Sequence, residues 1–347
     1  MGVGDIVVSN RTFALCVCAL LLMSTLSRSE QAKDLDGKDI SFKLYGKYLV
    51  VVQGSLGELR KRNFLVDTGT NPTIVDEKIA EQLQLAPLTG MPNTLPVISG
   101  GVKAQFAVLP ALQFGPIHRE RLRVAVEDLS LFRNKVGTRI DAVVGLDVLG
   151  QSSFRIDYSR HRIFFGPLGV TGSTVSFSSG PPFVTVPMMI ENRAVNVLID
   201  TGTAGLVLFQ SRLGAWDRGL PQLGVATTSG LAGPVYLPVL QVRKSVMGNE
   251  DVGIRQIYLG NGYNCCSFDG LMGISADQMR VIGFDFEHRL FTWQLQGAAI
   301  PTMSESRPED CLPASAPGLA LRSEAGGAPV SAFASRCGMV PAASMRR

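Results

Sequence analysis

The sequence predicts a mainly β protein of two homologous lobes, and three observations carry that prediction. A frame of matched segments runs twice along the chain, short β-branched runs are broken by Gly-rich turns, and an Asp-Thr-Gly-Thr tetrapeptide sits at the same place in each copy. The first matched pair is NFLVDTGTNPTIV, starting at Asn63, and NVLIDTGTAGLVL, starting at Asn196, with Asp67 falling on Asp200. The second is VLPALQ from Val108 and YLPVLQ from Tyr236. The third is IDAVVGLDVLGQSSFRIDYSRHRIFF from Ile140 and FDGLMGISADQMRVIGFDFEHRLFTW from Phe268, which superposes Asp141 on Asp269, Gly145 on Gly273, Asp157 on Asp285 and, after one gap, His161 on His288. Three blocks in one order at similar spacing point to an old duplication.

Strands are expected in the first copy at YLVVVQG, FLVD, FAVLPALQF and LRVAVEDL, and in the second at FVTVPMMI, VNVLID, VYLPVLQV and HRLFTW. One short helix per copy is expected. In the first, Asp76 is placed to cap EKIAEQLQL, where Ile79 and Leu83 share a face; in the second, SRLGAWDRG is the weaker candidate. The Gly/Ser/Pro-rich stretch from Pro167 to Pro182 reads as the joint between lobes, giving a first lobe over 30–170 and a second over 171–296.

The flanks differ from this core. Arg11 followed by the apolar run FALCVCALLL and then small and polar residues reads as a secretory signal over 1–29, cleaved near Ser29. Its apolar run is shorter than the roughly 20 residues of a spanning helix, so a membrane anchor follows only if the segment is retained. The protein is therefore expected to be exported, periplasmic or extracellular. Cys16 and Cys18 leave with the signal, and the pairing of Cys265, Cys266, Cys311 and Cys337 stays open. From Gly297 onward an Ala/Pro/Ser/Gly-rich composition without period reads as a disordered tail over 297–347.

With 347 residues, 46% apolar and 18% charged, the chain has the composition of a globular protein. Its net charge of +4 comes without a long basic run, and the densest cluster, HRERLR from His118, alternates like a solvated strand face, so no nucleic-acid partner is expected. The sequence holds no H-E-x-x-H, G-x-S-x-G or P-loop pattern. No metal and no cofactor are expected.

The chemistry therefore falls on the repeated tetrapeptide. One Asp-Thr-Gly is weak evidence, because Asp and Gly commonly make turns. Two, each following an apolar run and each answered further on by two apolar residues and a Gly (Val143-Val144-Gly145 and Leu271-Met272-Gly273), place two carboxylates at equivalent turns. From about Tyr48 to Trp293 these motifs resemble the pepsin-like and retropepsin-like aspartic peptidases, FDGLMGI being similar to pepsin-like lobes and VVGLDVLGQSSFRIDYSRHRI to retropepsins. The resemblance implies a bilobal acid-protease fold, two β-barrel-like lobes about a pseudo-dyad, arranged as a fused dimer of retropepsin-like units. It implies catalytic Asp67 and Asp200, loops cross-linked through the hydroxyls of Thr68 and Thr201, and a monomer acting on a peptide or protein substrate.

Each residue type suits that role. Two carboxylates at about 3 Å and an effective dielectric of about 20 repel by roughly 5 kcal/mol when both are charged, so they hold one proton between them and act as base and acid together. Gly69 and Gly202 let the backbone approach the carboxylates. Thr70 and Thr203 can each donate to an outer carboxylate oxygen, favour the charged form and lower the working pH. Asp141, Asp269, Asp157 and Asp285 are expected as turn or surface residues, and His161 and His288 as structural. One departure stands out: pepsin-like enzymes carry a Tyr in the first hairpin that closes over substrate, and no Tyr occurs here between Thr68 and Arg155. A non-catalytic peptide- or glycan-binding module on the same fold is the alternative, although a pure binder needs no paired carboxylates.

Overall fold

The computed structural model describes residues 38–89, 94–97, 100–169, 172–178, 183–230, 233–261 and 267–297. The expected signal segment, all six cysteines and the tail beyond residue 297 lie outside the described residues, as do residues 98–99 and 231–232.

The chain is mainly β. Every strand expected from the sequence is present, because alternation of apolar and polar residues gives each one a core face and a solvent face. Along Gln105–Phe114, for example, Ala107, Leu109, Leu112 and Phe114 are buried while Gln105, Val108, Pro110 and Gln113 are exposed. Each fully buried large apolar side chain of this kind contributes about 1.5–3 kcal/mol.

In the first repeat seven strands run in the order Lys43–Tyr45, Leu49–Leu56, Leu59–Val66, Ala142–Val144, Ile74–Asp76, Ile117–Glu127, Gln105–Phe114. Because Leu49–Leu56 also pairs with Gln105–Phe114, with Gly54 opposite Phe114, six of these strands close into a barrel. A Cβ on Gly54 would stand 2.1 Å from the Phe64 ring, so this closure needs a glycine. The second repeat keeps the corresponding pairings but stays open. Its nine strands run Gln222–Gly230, Gly233–Gln241, Gln256–Gly260, Leu206–Phe209, Gly270–Gly273, Arg193–Asp200, Thr185–Ile190, Ser245–Met247, Glu250–Asp251. There the place of the closing partner is taken by Ser245–Met247, which pairs with Thr185–Ile190.

A six-stranded sheet draws on both repeats, in the order Lys38–Ser41, Arg162–Phe165, Phe154–Asp157, Met279–Asp285, Leu290–Leu295, Ser173–Ser176. At its centre Phe154 pairs with Phe284, Arg155 with Gly283 and Ile156 with Ile282. In the sequence repeat Phe154 corresponds to Ile282 and Ile156 to Phe284, so the two outer pairs exchange under a two-fold axis through Arg155 and Gly283. The rings of Phe154 and Phe284 stack at 4.8 Å within one apolar core that spans both repeats. Ser173–Ser176, inside the stretch read as the joint between lobes, is itself a strand of this sheet.

The helices are short. Glu77–Gln82 is present with Ile79 and Ala80 buried, but Asp76 does not cap it. The Asp76 carboxylate instead accepts from Leu129 N (3.2 Å) and pairs with Arg139 (2.7 Å), since a buried carboxylate beside a guanidinium gains more there than from one backbone N–H. The second expected helix splits into Gln210–Leu213 and a 3₁₀ turn at Trp216–Gly219. Two further helices, Ser130–Val136 and Leu146–Leu149, were not expected from the sequence.

Candidate active site

Each Asp-Thr-Gly-Thr loop sits where a strand ends beside a second strand that runs parallel to it. Leu59–Val66 pairs in parallel with Ala142–Val144, which pairs antiparallel with Ile74–Asp76, so the chain from Asp67 to Thr73 must pass over the end of the middle strand. Arg193–Asp200, Gly270–Gly273 and Leu206–Phe209 repeat the arrangement. The glycine closing each apolar-apolar-Gly run is what fits beneath the loop. A Cβ on Gly145 would stand 2.3 Å from the Thr70 carbonyl oxygen, and one on Gly273 would stand 2.6 Å from that of Thr203.

The two loops lock together. The Thr68 hydroxyl donates to the Ile199 carbonyl (2.7 Å) and accepts from Thr201 N (3.2 Å), while the Thr201 hydroxyl donates to the Val66 carbonyl (3.0 Å) and accepts from Thr68 N (3.1 Å). Both threonines are fully buried, so these bonds satisfy two N–H and two C=O groups that would otherwise be orphaned between the repeats. The cross-link expected from resemblance is thus present at Thr68 and Thr201.

The lock brings the carboxylates face to face. Gly69 N donates to Asp67 Oδ1 and Gly202 N to Asp200 Oδ1, both at 2.8 Å. Each carboxyl also reaches across: a Cβ on Gly69 would stand 2.5 Å from Asp200 Cγ, and one on Gly202 would stand 2.5 Å from Asp67 Oδ2. The space left by each missing side chain is filled by the opposite repeat's aspartate. The carboxyls are close enough to share a hydrogen bond.

Burial pushes the Asp67 carboxyl up, against the Thr70 hydroxyl and the Gly69 N–H that favour its charged form. Asp200 is pushed well above the usual carboxylate range, by burial first and then by repulsion from Asp67. The threonines beside them are not equivalent. The Thr70 hydroxyl donates to Asp67 Oδ2 at 2.8 Å, as expected, but among the described residues the Thr203 hydroxyl makes no matching bond to Asp200, which Thr203 supports through its backbone instead. This corrects the symmetric expectation for Thr70 and Thr203. The asymmetry sets a pH prediction: Thr70→Val removes a donor that favours the carboxylate, so the acid limb of the kcat/KM profile moves to higher pH, whereas Thr203→Val leaves that limb in place. Parallel pH–rate profiles of both variants check this.

The aspartates outside the dyad act as braces. Asp141 Oδ2 accepts from Asn63 N (2.9 Å) and Asp269 Oδ2 from Asn196 N (2.8 Å), which fixes the strand entering each loop. Asp141, expected at a turn or surface, is buried and also pairs with Arg139. Asp157 and Asp285 are turn residues, accepting from Arg160 N and from Glu287 N and His288 N. His161 stacks on Phe42, and His288 bonds Asp285 through Nδ1 (2.8 Å), both structural.

Two contributors escaped the sequence reading. Asp147 accepts from both Thr73 N (3.0 Å) and the Thr73 hydroxyl (2.7 Å), and that hydroxyl in turn accepts from Gly145 N (3.1 Å), so a half-buried carboxylate holds the far end of the first loop. The matching places in the second repeat are Ser275 and Leu206, so no equivalent brace forms there. The other contributor is Tyr48, in the turn before Leu49–Leu56, whose phenol is pushed up by burial and by the charge of Asp200.

Residues 52–148 match the aspartyl protease family model. Over that segment the chain is similar to the aspartyl proteases. The matched span carries Asp67 with its loop and the Val143-Val144-Gly145 run beneath it, and the family points to aspartic protease activity in general. No curated protein sequence matches the chain. The second carboxylate stands outside the matched span, and the internal repeat and the reciprocal loop contacts are what relate Asp200 to Asp67.

Proposed function

We propose that the protein is a single-chain aspartic endopeptidase in which Asp67 and Asp200 activate water between them. The observation that carries this reading is the reciprocal seating of each carboxyl over the other loop's glycine. Such a pair holds one proton and one charge. The ionised carboxylate takes a proton from water as the water oxygen bonds to the scissile carbonyl carbon, and the protonated carboxyl gives its proton to the carbonyl oxygen. The tetrahedral diol then collapses: the nitrogen leaves with the proton taken from water as the C–N bond breaks, and one diol hydroxyl returns its proton to the carboxylate that had acted as acid, so that the pair ends with one proton again. No covalent enzyme adduct forms. Asp67, held by the Thr70 hydroxyl, suits the charged role, and Asp200, with no hydroxyl donor and deeper burial, suits the protonated one.

One chain supplies both halves, so a monomer suffices. Thr68 and Thr201 set the spacing, Gly69 and Gly202 make room, and Thr70 lowers the pH at which the pair becomes singly charged. The substrate class is a peptide or an unfolded protein segment, met outside the cytoplasm if the N-terminal segment directs export.

The test is incubation of the purified protein with a mixed peptide library between about pH 3 and pH 7 in ¹⁸O-enriched water, the range in which carboxylate pairs of this kind titrate. Internal cleavage peaking below neutrality, with one heavy oxygen in each new carboxyl group and no mass adduct on the protein, is the expected result. Cleavage peaking at or above neutrality, a trapped acyl-enzyme, or no cleavage at any pH contradicts the reading.

A further inference from the structure

The first hairpin lacks the tyrosine that pepsin-like enzymes place there, yet a tyrosine of a different element, Tyr48, stands in a turn that is bonded to the segment beside Asp200. Tyr48 lies in the turn between strands Lys43–Tyr45 and Leu49–Leu56, closed by its own N–H to the Tyr45 carbonyl (3.2 Å). That turn is tied to the other repeat. Ala276 N donates to the Lys47 carbonyl (2.7 Å), and the Lys47 ammonium pairs with Asp277 (2.7 Å). Ala276 follows closely on Gly273, the register partner of Asp200, so a turn of the first repeat is held against the segment leaving the second aspartate.

The Tyr48 ring packs on the apolar cluster of Leu49, Val51, Leu65, Ile74 and Val143, in which Leu65 stands two residues before Asp67. The Asp200 carboxyl, for its part, leans over Gly69 into the first repeat. Tyr48 is therefore fixed from one side by the strand that leads to Asp67 and from the other by the segment beside Asp200. Burial keeps its phenol neutral, so it remains a donor across the working range. The ring is only half-buried, and among the described residues its hydroxyl makes no hydrogen bond. A pinned neutral donor left unused next to the segment that leaves Asp200 is what a bound backbone carbonyl can take up.

Resting on the endopeptidase reading, we propose that Tyr48 is a substrate-binding residue whose hydroxyl donates to a backbone carbonyl of the peptide on the Asp200 side of the scissile bond. It holds the peptide in line with the dyad and takes no part in proton transfer.

The experiment compares wild type, Tyr48→Phe and, as a control from the same apolar cluster, Tyr45→Phe. It reads KM, kcat, the two limbs of the pH profile, the thermal midpoint, and the Kd for an uncleavable peptide carrying a hydroxymethylene unit in place of the scissile amide. One lost hydrogen bond predicts that Tyr48→Phe raises both KM and that Kd by about tenfold, with midpoint and pH limbs unchanged, while Tyr45→Phe behaves as wild type. Unchanged KM and Kd in Tyr48→Phe, or equal losses in Tyr45→Phe, overturn the proposal. A wild type that binds the analogue without cleaving any peptide sinks the endopeptidase reading alone, and the Kd comparison then still decides for or against Tyr48. A wild type that does neither overturns both.

Discussion

Asp67→Asn and Asp200→Asn are each expected to lower kcat by at least about 10³-fold, the upper part of the range for a lost general acid or base. Asparagine keeps the shape of the carboxyl and one acceptor oxygen, so Gly69 N or Gly202 N retains its partner and the loop keeps its form. What disappears is the ability to shuttle a proton. Because the two carboxyls act on one proton, the double variant should lose little beyond either single one, as residues that work as a unit are strongly non-additive. The fold should survive in all three, since each asparagine is a neutral isostere of the carboxyl it replaces and the threonine lock behind the loops is untouched. Single-turnover rates on a cleavable peptide, with thermal midpoints alongside, check both parts.

The second large effect comes from a residue that does no chemistry. Gly202→Ala would place a methyl group 2.5 Å from Asp67 Oδ2, and Gly69→Ala one 2.5 Å from Asp200 Cγ. Neither carboxyl can retreat freely. Asp67 is tied to Gly69 N and the Thr70 hydroxyl, and Asp200 to Gly202 N, while the loops behind them are clamped by Thr68 and Thr201. The carboxyl must shift by the better part of an ångström, a misplacement that costs about 10²-fold in rate. Each alanine variant should therefore lose activity in kcat more than in KM. A kcat within a factor of about two of wild type would mean that the loops separate without harm and that the spacing is not set by these glycines.

Much of this architecture was legible because the relevant signals are local or repeated. Period-two alternation located the strands, and the matched blocks placed Asp67 and Asp200 at equivalent turns. The glycines under the loops, Gly145 and Gly273, were visible as part of a repeated run, although the reason for them, backbone approach within about a van der Waals radius, needs the fold. What stayed hidden depends on side-chain direction or on contacts distant in sequence. Nothing local distinguishes Thr70 from Thr203, since both follow the same tripeptide and differ only in which way the hydroxyl points. The Thr73–Asp147 brace joins positions in separate blocks, and its absence from the second repeat showed only as an unremarked change to Leu206 and Ser275. Asp76 looked like a helix cap because the cap pattern takes no account of Arg139, which the fold brings beside it. Tyr48 lies ahead of the matched blocks, so the repeat offered no guide to it.

The helix Ser130–Val136 was missed for a different reason. Leu129, Phe132 and Val136 do fall at i, i+3, i+7 on one apolar cluster, but the period lasts barely two turns directly after a strand-like run, and the stop signal is Gly137 just beyond it, in a left-handed conformation (φ 64°).

The central claim is that one chain carries both halves of the site. Mixing Asp67→Asn chains with Asp200→Asn chains, followed by measurement of peptide cleavage at acidic pH, tests it most directly. If each chain builds its own dyad from its own two loops, every molecule in the mixture keeps one defective carboxyl and the mixture stays as inactive as its components. Recovery of a substantial fraction of wild-type activity would place Asp67 of one chain beside Asp200 of another and contradict the account.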